Sequence, residues 1–291
     1  MTNNEMIIHN FESFEAFRRA EIFPSNGDLI ELEKGLVKSS DNFTISGECF
    51  VCKDRVDFYV DFIASAEPAV GEERVPNWRE RLLCPICHLN NRMRAVVHLL
   101  EHDSLVQKKN IYITEQMTHL YLSLEQRYPG LVGSEYLGPE FDSGYIREDG
   151  IRHEDMIQLS FKDASFDSIL SFDVLEHVPD YRTALTECAR CLKPDGGELF
   201  LTMPFLLNSE ETLVRASLLP DGEIEHICTP EFHGDPINPS EGILCFYHYG
   251  WDVLETLREV GFTNSSVKLY WSRDFGYLGG YQVLIHAERC S

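Results

Sequence analysis

Four cysteines stand in two Cys-x-x-Cys pairs, Cys49-Phe-Val-Cys52 and Cys84-Pro-Ile-Cys87. Zinc accepts four thiolates in a tetrahedron, and two such knuckles supply them. A closed four-cysteine site keeps no open position, so its expected role is to fold a module and not to catalyse. A third pair, Cys188 and Cys191, falls inside a predicted helix, where the thiols sit about one turn apart without a knuckle; these read as packing residues. Cys228, Cys245 and Cys290 have no partner that the sequence reveals.

A second set of reactive side chains is acidic. The apolar run through Ile169 and Leu170 reads as a strand, and it ends in Asp173, Glu176 and His177 within "SFDVLEHVPD". Glu135 ends a similar run in "VGSEYLG", and Asp155 lies in a loop, "RHEDMIQLSF", that could reach the same edge. Open parallel sheets bind ligands at the carboxyl ends of their strands, and a carboxylate after the second strand suits the two hydroxyls of a ribose. Each of these residues alone reads better as a capping or solvated loop carboxylate. A third set lies in a long polar insert, "GEIEHICTPEFHGDPINPSEG", with Glu225, His226, Glu231, His233 and Asp235. His226 or His233 could act as a general base, because imidazole titrates near neutral pH. The same residues could hold a divalent metal, or be structural.

The elements that must position these residues alternate. "NIYIT" is a predicted strand, "THLYLSLEQRYPG" a helix ending at Pro129-Gly130, and "LVGSEYL" a strand. "FDSILSFD" is another strand, followed by a helix over "DYRTALTECARCLK" and a strand over "ELFLTMPF". "GWDVLETLREVGF" reads as an amphipathic helix before strand-like "SVKLYW" and "YQVLIHAE". This order predicts an α/β fold, a mostly parallel, doubly wound sheet over residues 109–291. Residues 1–108 read as a separate module, with partial helix around "NFESFEAFRRAEIF" and a small hairpin between the cysteine pairs around "RVDFYVDF". "NRMRAVVHLLEHDSLVQ" reads as an amphipathic helix. The aromatic run "CFYHYGW" could line a pocket or be core.

The stretch from Glu154 to Phe205 resembles the class I S-adenosylmethionine-dependent methyltransferases, of the methyltransferase type 11 kind. "LSFKDASFD", "LEHVPD" and "LKPDGG" carry the likeness, which extends more thinly over about residues 110–288. The resemblance implies a Rossmann-like fold and S-adenosylmethionine as cofactor. It implies that Glu135 holds the ribose, Asp155 the adenine amino group, Met156 the adenine ring, and that Asp173 lies near the methionine end. Glu176 and His177 would begin the next helix. The family's glycine-rich turn after the first strand is missing; Glu115, Met117 and His119 stand there instead. Glycines matter most where backbone approaches a pyrophosphate, which this cofactor lacks. Glu115 could meet the cofactor's ammonium, or be an ordinary loop carboxylate. The departure keeps a second reading open: a zinc-ribbon adaptor on a methyltransferase-like fold without activity.

Composition narrows the partners. The formal net charge is −23, which works against bulk electrostatic binding of nucleic acid. The expected acceptor of an O- or N-directed methyl transfer is therefore a small molecule or saccharide. A zinc module on this fold also resembles certain ribosomal RNA guanine methyltransferases, and Arg79, Arg81, Arg92 and Arg94 around the second knuckle keep RNA open as a less favoured partner. No apolar run reaches membrane-spanning length. Nine cysteines without a secretory leader lead us to expect a reducing, cytoplasmic setting with a structural Zn2+. Nothing in the sequence sets the oligomeric state.

Overall fold

The computed structural model describes residues 6–39, 41–63, 65–68, 74–102 and 108–290. The chain divides into two compact units. One comprises Met1–Phe11, Glu15–Gln107 and Lys268–Leu284; the other comprises Glu12–Phe14, Lys108–Val267 and Ile285–Ser291.

The first unit contains β1 (Ile7–Phe11), helix α2 (Phe23–Lys34) after the short α1 (Phe14–Arg19), the hairpin β2 (Phe43–Cys49) and β3 (Asp54–Val60), and α3 (Asn91–His102). The hairpin register pairs Cys49 with Asp54, so the first cysteine knuckle is the hairpin's own turn. The sequence reading placed the hairpin between the two cysteine pairs; it begins instead before the first, because Phe43–Cys49 alternates buried and exposed residues as β3 does. β1 was read as part of a helical segment. The predicted helix over residues 91–107 is described to His102, and 103–107 lie outside the described residues.

The second unit carries β4 (Ile111–Ile113), α4 (His119–Arg127), β5 (Leu131–Gly133), β6 (Ser168–Phe172), α5 (Tyr181–Cys191) and β7 (Gly197–Thr202). Six short strands follow in the insert: β8 (Leu213–Val214), β9 (Ala216–Leu218), β10 (Ile224–His226), β11 (Phe232–His233), β12 (Ile243–Leu244) and β13 (Tyr247–His248). Helix α6 (Val253–Glu259) then leads into β14 (Phe262–Ser272) and β15 (Tyr277–Arg289), which run through both units. The seven-stranded sheet has the order β1-β14-β15-β7-β6-β4-β5. β4 pairs in parallel with β5 and β6, β6 pairs in parallel with β7, and β15 is antiparallel to β7. This is the mostly parallel α/β sheet that the alternating pattern predicts, Rossmann-like as the resemblance implies. β6 and β7 are buried along their whole length, as strands covered on both faces are.

Local chemistry sets the helix starts. Thr118 caps α4 by accepting from the Tyr121 amide, and Asp180 caps α5 by accepting from the Thr183 amide. Pro179 disfavours helix at Val178. Glu176 and His177 therefore do not begin α5; they form a single 3-10 turn, Leu175–His177, before it. Cys188 and Cys191 are fully buried in α5, as packing residues are. Among the described residues, no helix is long and apolar enough to cross a membrane.

Candidate functional site

The cysteine knuckles meet. Cys49 Sγ lies 3.8 Å from Cys87 Sγ and Cys52 Sγ lies 3.7 Å from Cys84 Sγ, with all four within 4.8 Å of one another. A tetrahedral ion with sulfur bonds of about 2.3 Å sets its thiolates roughly 3.8 Å apart, so the donor set fits such a metal. Contact with the Cys87 thiol draws Cys49 down to about 5, while the same contact pushes Cys87 up and burial pushes Cys52 to about 12. Four thiols this close cannot all ionise without a cation among them. The second knuckle is closed by the His88 amide on the Cys84 carbonyl (3.0 Å) and the Ile86 amide on Cys84 Sγ (3.5 Å). His98 of α3 stacks on Phe50 of the first knuckle, ring centroids 3.6 Å apart.

The four arginines around this module do not form a free basic face. Arg94 is fully buried; its guanidinium donates to the carbonyls of Phe275 (2.6 Å), Leu82 (3.2 Å) and Gly276 (3.2 Å). Arg81 pairs with Asp61, and Arg79 and Arg92 both pair with Glu80.

In the other unit, the carboxylates gather at the carboxyl ends of β4, β5 and β6. Glu135, two residues past β5, is buried, and its Oε1 accepts from the Gln116 and Met117 amides, each at 2.7 Å. Burial raises its pKa, while the two amides work in the opposite direction. Asp235 of the insert and Arg147 are both near enough to act on its charge. Glu115 follows β4 and accepts from the Thr118 hydroxyl. Close packing of α4 on β5 explains a glycine the sequence reading passed over: a Cβ on Gly133 would meet Tyr121 Cε2 at 2.5 Å and the Glu115 carbonyl at 2.8 Å. Asp155 is half-buried; its Oδ1 accepts from the Ile157 amide at 3.0 Å, and Tyr136 feels its charge. Met156 beside it is buried. Asp173 closes β6 with φ +54, a left-handed conformation costly for a residue with a Cβ. It is held there by its amide on the Thr202 carbonyl (2.8 Å) and by the Thr202 hydroxyl on Oδ1 (3.0 Å).

The two histidines singled out in the insert separate. His226 is exposed on β10. His233 of β11 stands between carboxylates, Nδ1 3.4 Å from Glu176 Oε1 and Nε2 3.0 Å from Glu231 Oε1. The Cys245 thiol and then Glu176 hold its pKa up, to about 11, against the cost of burial. His248 adds Nε2 at 3.2 Å from Glu231 Oε1. The sequence reading missed Cys245 and His248 as members of this cluster. Their signal was the run "CFYHYGW", which is largely packed: Tyr249 donates its hydroxyl to the Leu175 carbonyl (2.9 Å) in the 3-10 turn, and Tyr247 to the Pro179 carbonyl (2.6 Å) just after it.

With this geometry in place, the chain can be set beside known proteins. Residues 134–200 match a family described as methyltransferase domain. A protein of Mycolicibacterium smegmatis described as a probable S-adenosylmethionine-dependent methyltransferase is 34% identical over 85 residues, 29% of this chain. The chain covers only 32% of that relative's own length. A solved S-adenosylmethionine-dependent methyltransferase from Mesorhizobium loti is similar with a TM-score of 0.39 and 14% identity, over 62% of this chain and 91% of that one. A solved protein of Pyrococcus horikoshii OT3 is similar with a TM-score of 0.40 and 16% identity, over 68% and 89%. The stretch that matches the methyltransferase-domain family is thus the one that supplies Glu135, Asp155, Met156 and Asp173.

Proposed function

We propose that this chain transfers a methyl group from S-adenosylmethionine to an oxygen or nitrogen acceptor. The observation that carries the reading is the gathering of Glu115, Glu135, Asp155 and Asp173 at the carboxyl edge of one parallel sheet, within or beside the residues that match the methyltransferase-domain family. The fit to the cofactor rests on the carboxylates. Both bonds to Glu135 fall on Oε1, so Oε2 is the oxygen a ribose hydroxyl would meet. Asp155 and the Met156 backbone suit the adenine edge, and Asp173 and Glu115 suit the cationic methionine end. Where the family has a glycine turn, this chain offers the Gln116 and Met117 amides, already ordered by Glu135. The cofactor supplies an electrophilic methyl on a sulfonium. The protein's part in a direct displacement is chiefly to hold acceptor and methyl in line and exclude water.

The insert between β7 and α6, with Asp235 near Glu135, suits a cover over the bound cofactor and a wall of the acceptor site. His226 and His233 remain the proposed proton acceptors in it, and His233 would have to lose its proton first. The acidic surface favours a small molecule or saccharide over a polyanion. We infer a structural Zn2+ in the four-cysteine site, and a reducing, cytoplasmic setting from the free thiols.

Calorimetric titration with S-adenosylmethionine and S-adenosylhomocysteine tests the reading. Saturable binding is expected, weakened about tenfold or more by Asp155→Ala, as loss of a charge-assisted hydrogen bond worth at least ~1.4 kcal/mol requires. A folded protein that binds neither compound overturns it in favour of a non-catalytic zinc-ribbon adaptor.

A further inference from the structure

One group of ionisable side chains has an arrangement that the methyl-transfer reading does not explain. Glu176, in the 3-10 turn, is fully buried, and neither of its carboxylate oxygens has a hydrogen-bond partner. An ionised carboxylate there is costly unless a cation meets it. Two imidazoles face the same oxygen, Oε1: His177 Nε2 at 3.7 Å and His233 Nδ1 at 3.4 Å. The donor atoms of the three residues lie within 4.8 Å of one another.

The far side of each ring is already committed. His177 Nδ1 lies 2.8 Å from the Leu244 carbonyl, which only accepts, so that nitrogen carries the proton. His233 Nε2 lies 3.0 Å from Glu231 Oε1, and Glu231 is itself held by Arg215 at 3.0 Å. In His177 the inner nitrogen therefore turns a lone pair toward the buried carboxylate; His233, with a carboxylate on each side, keeps its proton until an ion displaces it and its inner nitrogen becomes a ligand. The His233 proton meets Glu176 only loosely, at 3.4 Å, and a divalent ion in its place would bind both inner nitrogens and the carboxylate. Histidines that ligate metals are oriented in this way, by a carbonyl or carboxylate on the outer nitrogen.

We propose that Glu176, His177 and His233 bind a first-row divalent transition-metal ion, with Glu231 and the Leu244 carbonyl orienting the two rings. Metal bonds of about 2.1 Å place tetrahedral ligands roughly 3.4 Å apart, so the observed spacing needs only a small contraction. Two imidazoles and one carboxylate select zinc, iron, cobalt or manganese over magnesium and calcium, which prefer all-oxygen sites. Three protein ligands leave positions open, unlike the four-cysteine site. Asp173 is near enough to act on the His177 charge, so the ion would sit beside the proposed methionine end, where an open position could take an acceptor oxygen. That last step rests on the cofactor reading; the metal site does not, and with the ion bound His226 alone remains as the proposed proton acceptor.

The test is titration of the chelator-treated full chain with Mn2+, followed by electron paramagnetic resonance with no cofactor present. Thiolates disfavour Mn2+, so the four-cysteine site stays silent. One saturable Mn2+ site is expected. Glu176→Gln and His177→Ala should abolish it, and Glu231→Gln should weaken it about 10- to 100-fold, the usual cost of an outer-shell carboxylate. Thermal melting gives a second readout. Glu176→Gln removes the carboxylate ligand, so Mn2+ should raise the melting temperature of the parent and not that of the variant. A folded parent that takes up no Mn2+, or a Glu176→Gln variant that Mn2+ stabilises as much as the parent, overturns the proposal.

Discussion

Arg94 is a charged side chain in a place where water cannot reach it. Its burial is offset by three carbonyls, from Phe275, Leu82 and Gly276, and by the Phe58 ring, 3.8 Å from the guanidinium carbon. Read along the sequence, Arg94 belonged to a basic cluster. In the fold it is a strut that joins helix α3 to the chain around Leu82 and to the tip of the β14–β15 hairpin. Arg94→Met keeps most of the apolar stem but leaves those carbonyls unsatisfied, at about 1–3 kcal/mol for each that water cannot reach. The expected loss is about 3 kcal/mol or more of unfolding free energy, read from urea denaturation. A variant within ~0.5 kcal/mol of the parent would mean that water replaces the guanidinium there. Asp173 makes the complementary point. Its residue type was legible as a strand-end carboxylate, but its left-handed backbone was not, because Thr202, which holds it, comes from the neighbouring strand.

At the scale of elements, the hairpin β2–β3 and the knuckle at Cys84–Cys87 have no large core of their own. Phe58, Val60 and Ile45 are buried, but the alternate residues of both strands are exposed. A closed metal centre is therefore expected to hold the pair together. Changing Cys84 and Cys87 to Ser together should remove about one zinc per chain by metal analysis and lower the melting temperature. A metal-free parent that is fully folded would sink the inference. The same scale separates what the sequence made legible from what it did not. Strict local patterns gave the β4–α4–β5 and β6–α5–β7 runs, because burial on both faces and caps such as Thr118 and Asp180 are local. β1 merges in the sequence with the helical segment that follows it, since its pairing partner β14 comes some 250 residues later. The Glu176–His177–His233 cluster was half visible: "LEHVPD" stood out, but nothing local announces that β11, two residues long, carries His233 to it.

At the scale of the whole molecule, charge dominates. Forty-eight acidic residues face twenty-five basic ones, and several of the basic ones are already paired at short range. Such a surface repels polyanions over about a Debye length, roughly 8 Å at physiological salt and 30 Å at 0.01 M. An RNA acceptor would need a local positive face strong enough to overcome this, and Arg79, Arg81, Arg92 and Arg94 are spent on Glu80, Asp61 and backbone carbonyls. The expected result is that structured and single-stranded RNA do not bind saturably at about 0.15 M salt, and that lowering the salt gains little. Phosphate contacts would betray themselves differently, because each one adds about 0.9 to the slope of log affinity against log salt for a duplex. A slope corresponding to three or more contacts, lost on replacing Arg79 and Arg92, would show that these ion pairs open to receive RNA. It would move the acceptor from the small-molecule class to nucleic acid and leave the cofactor site as described.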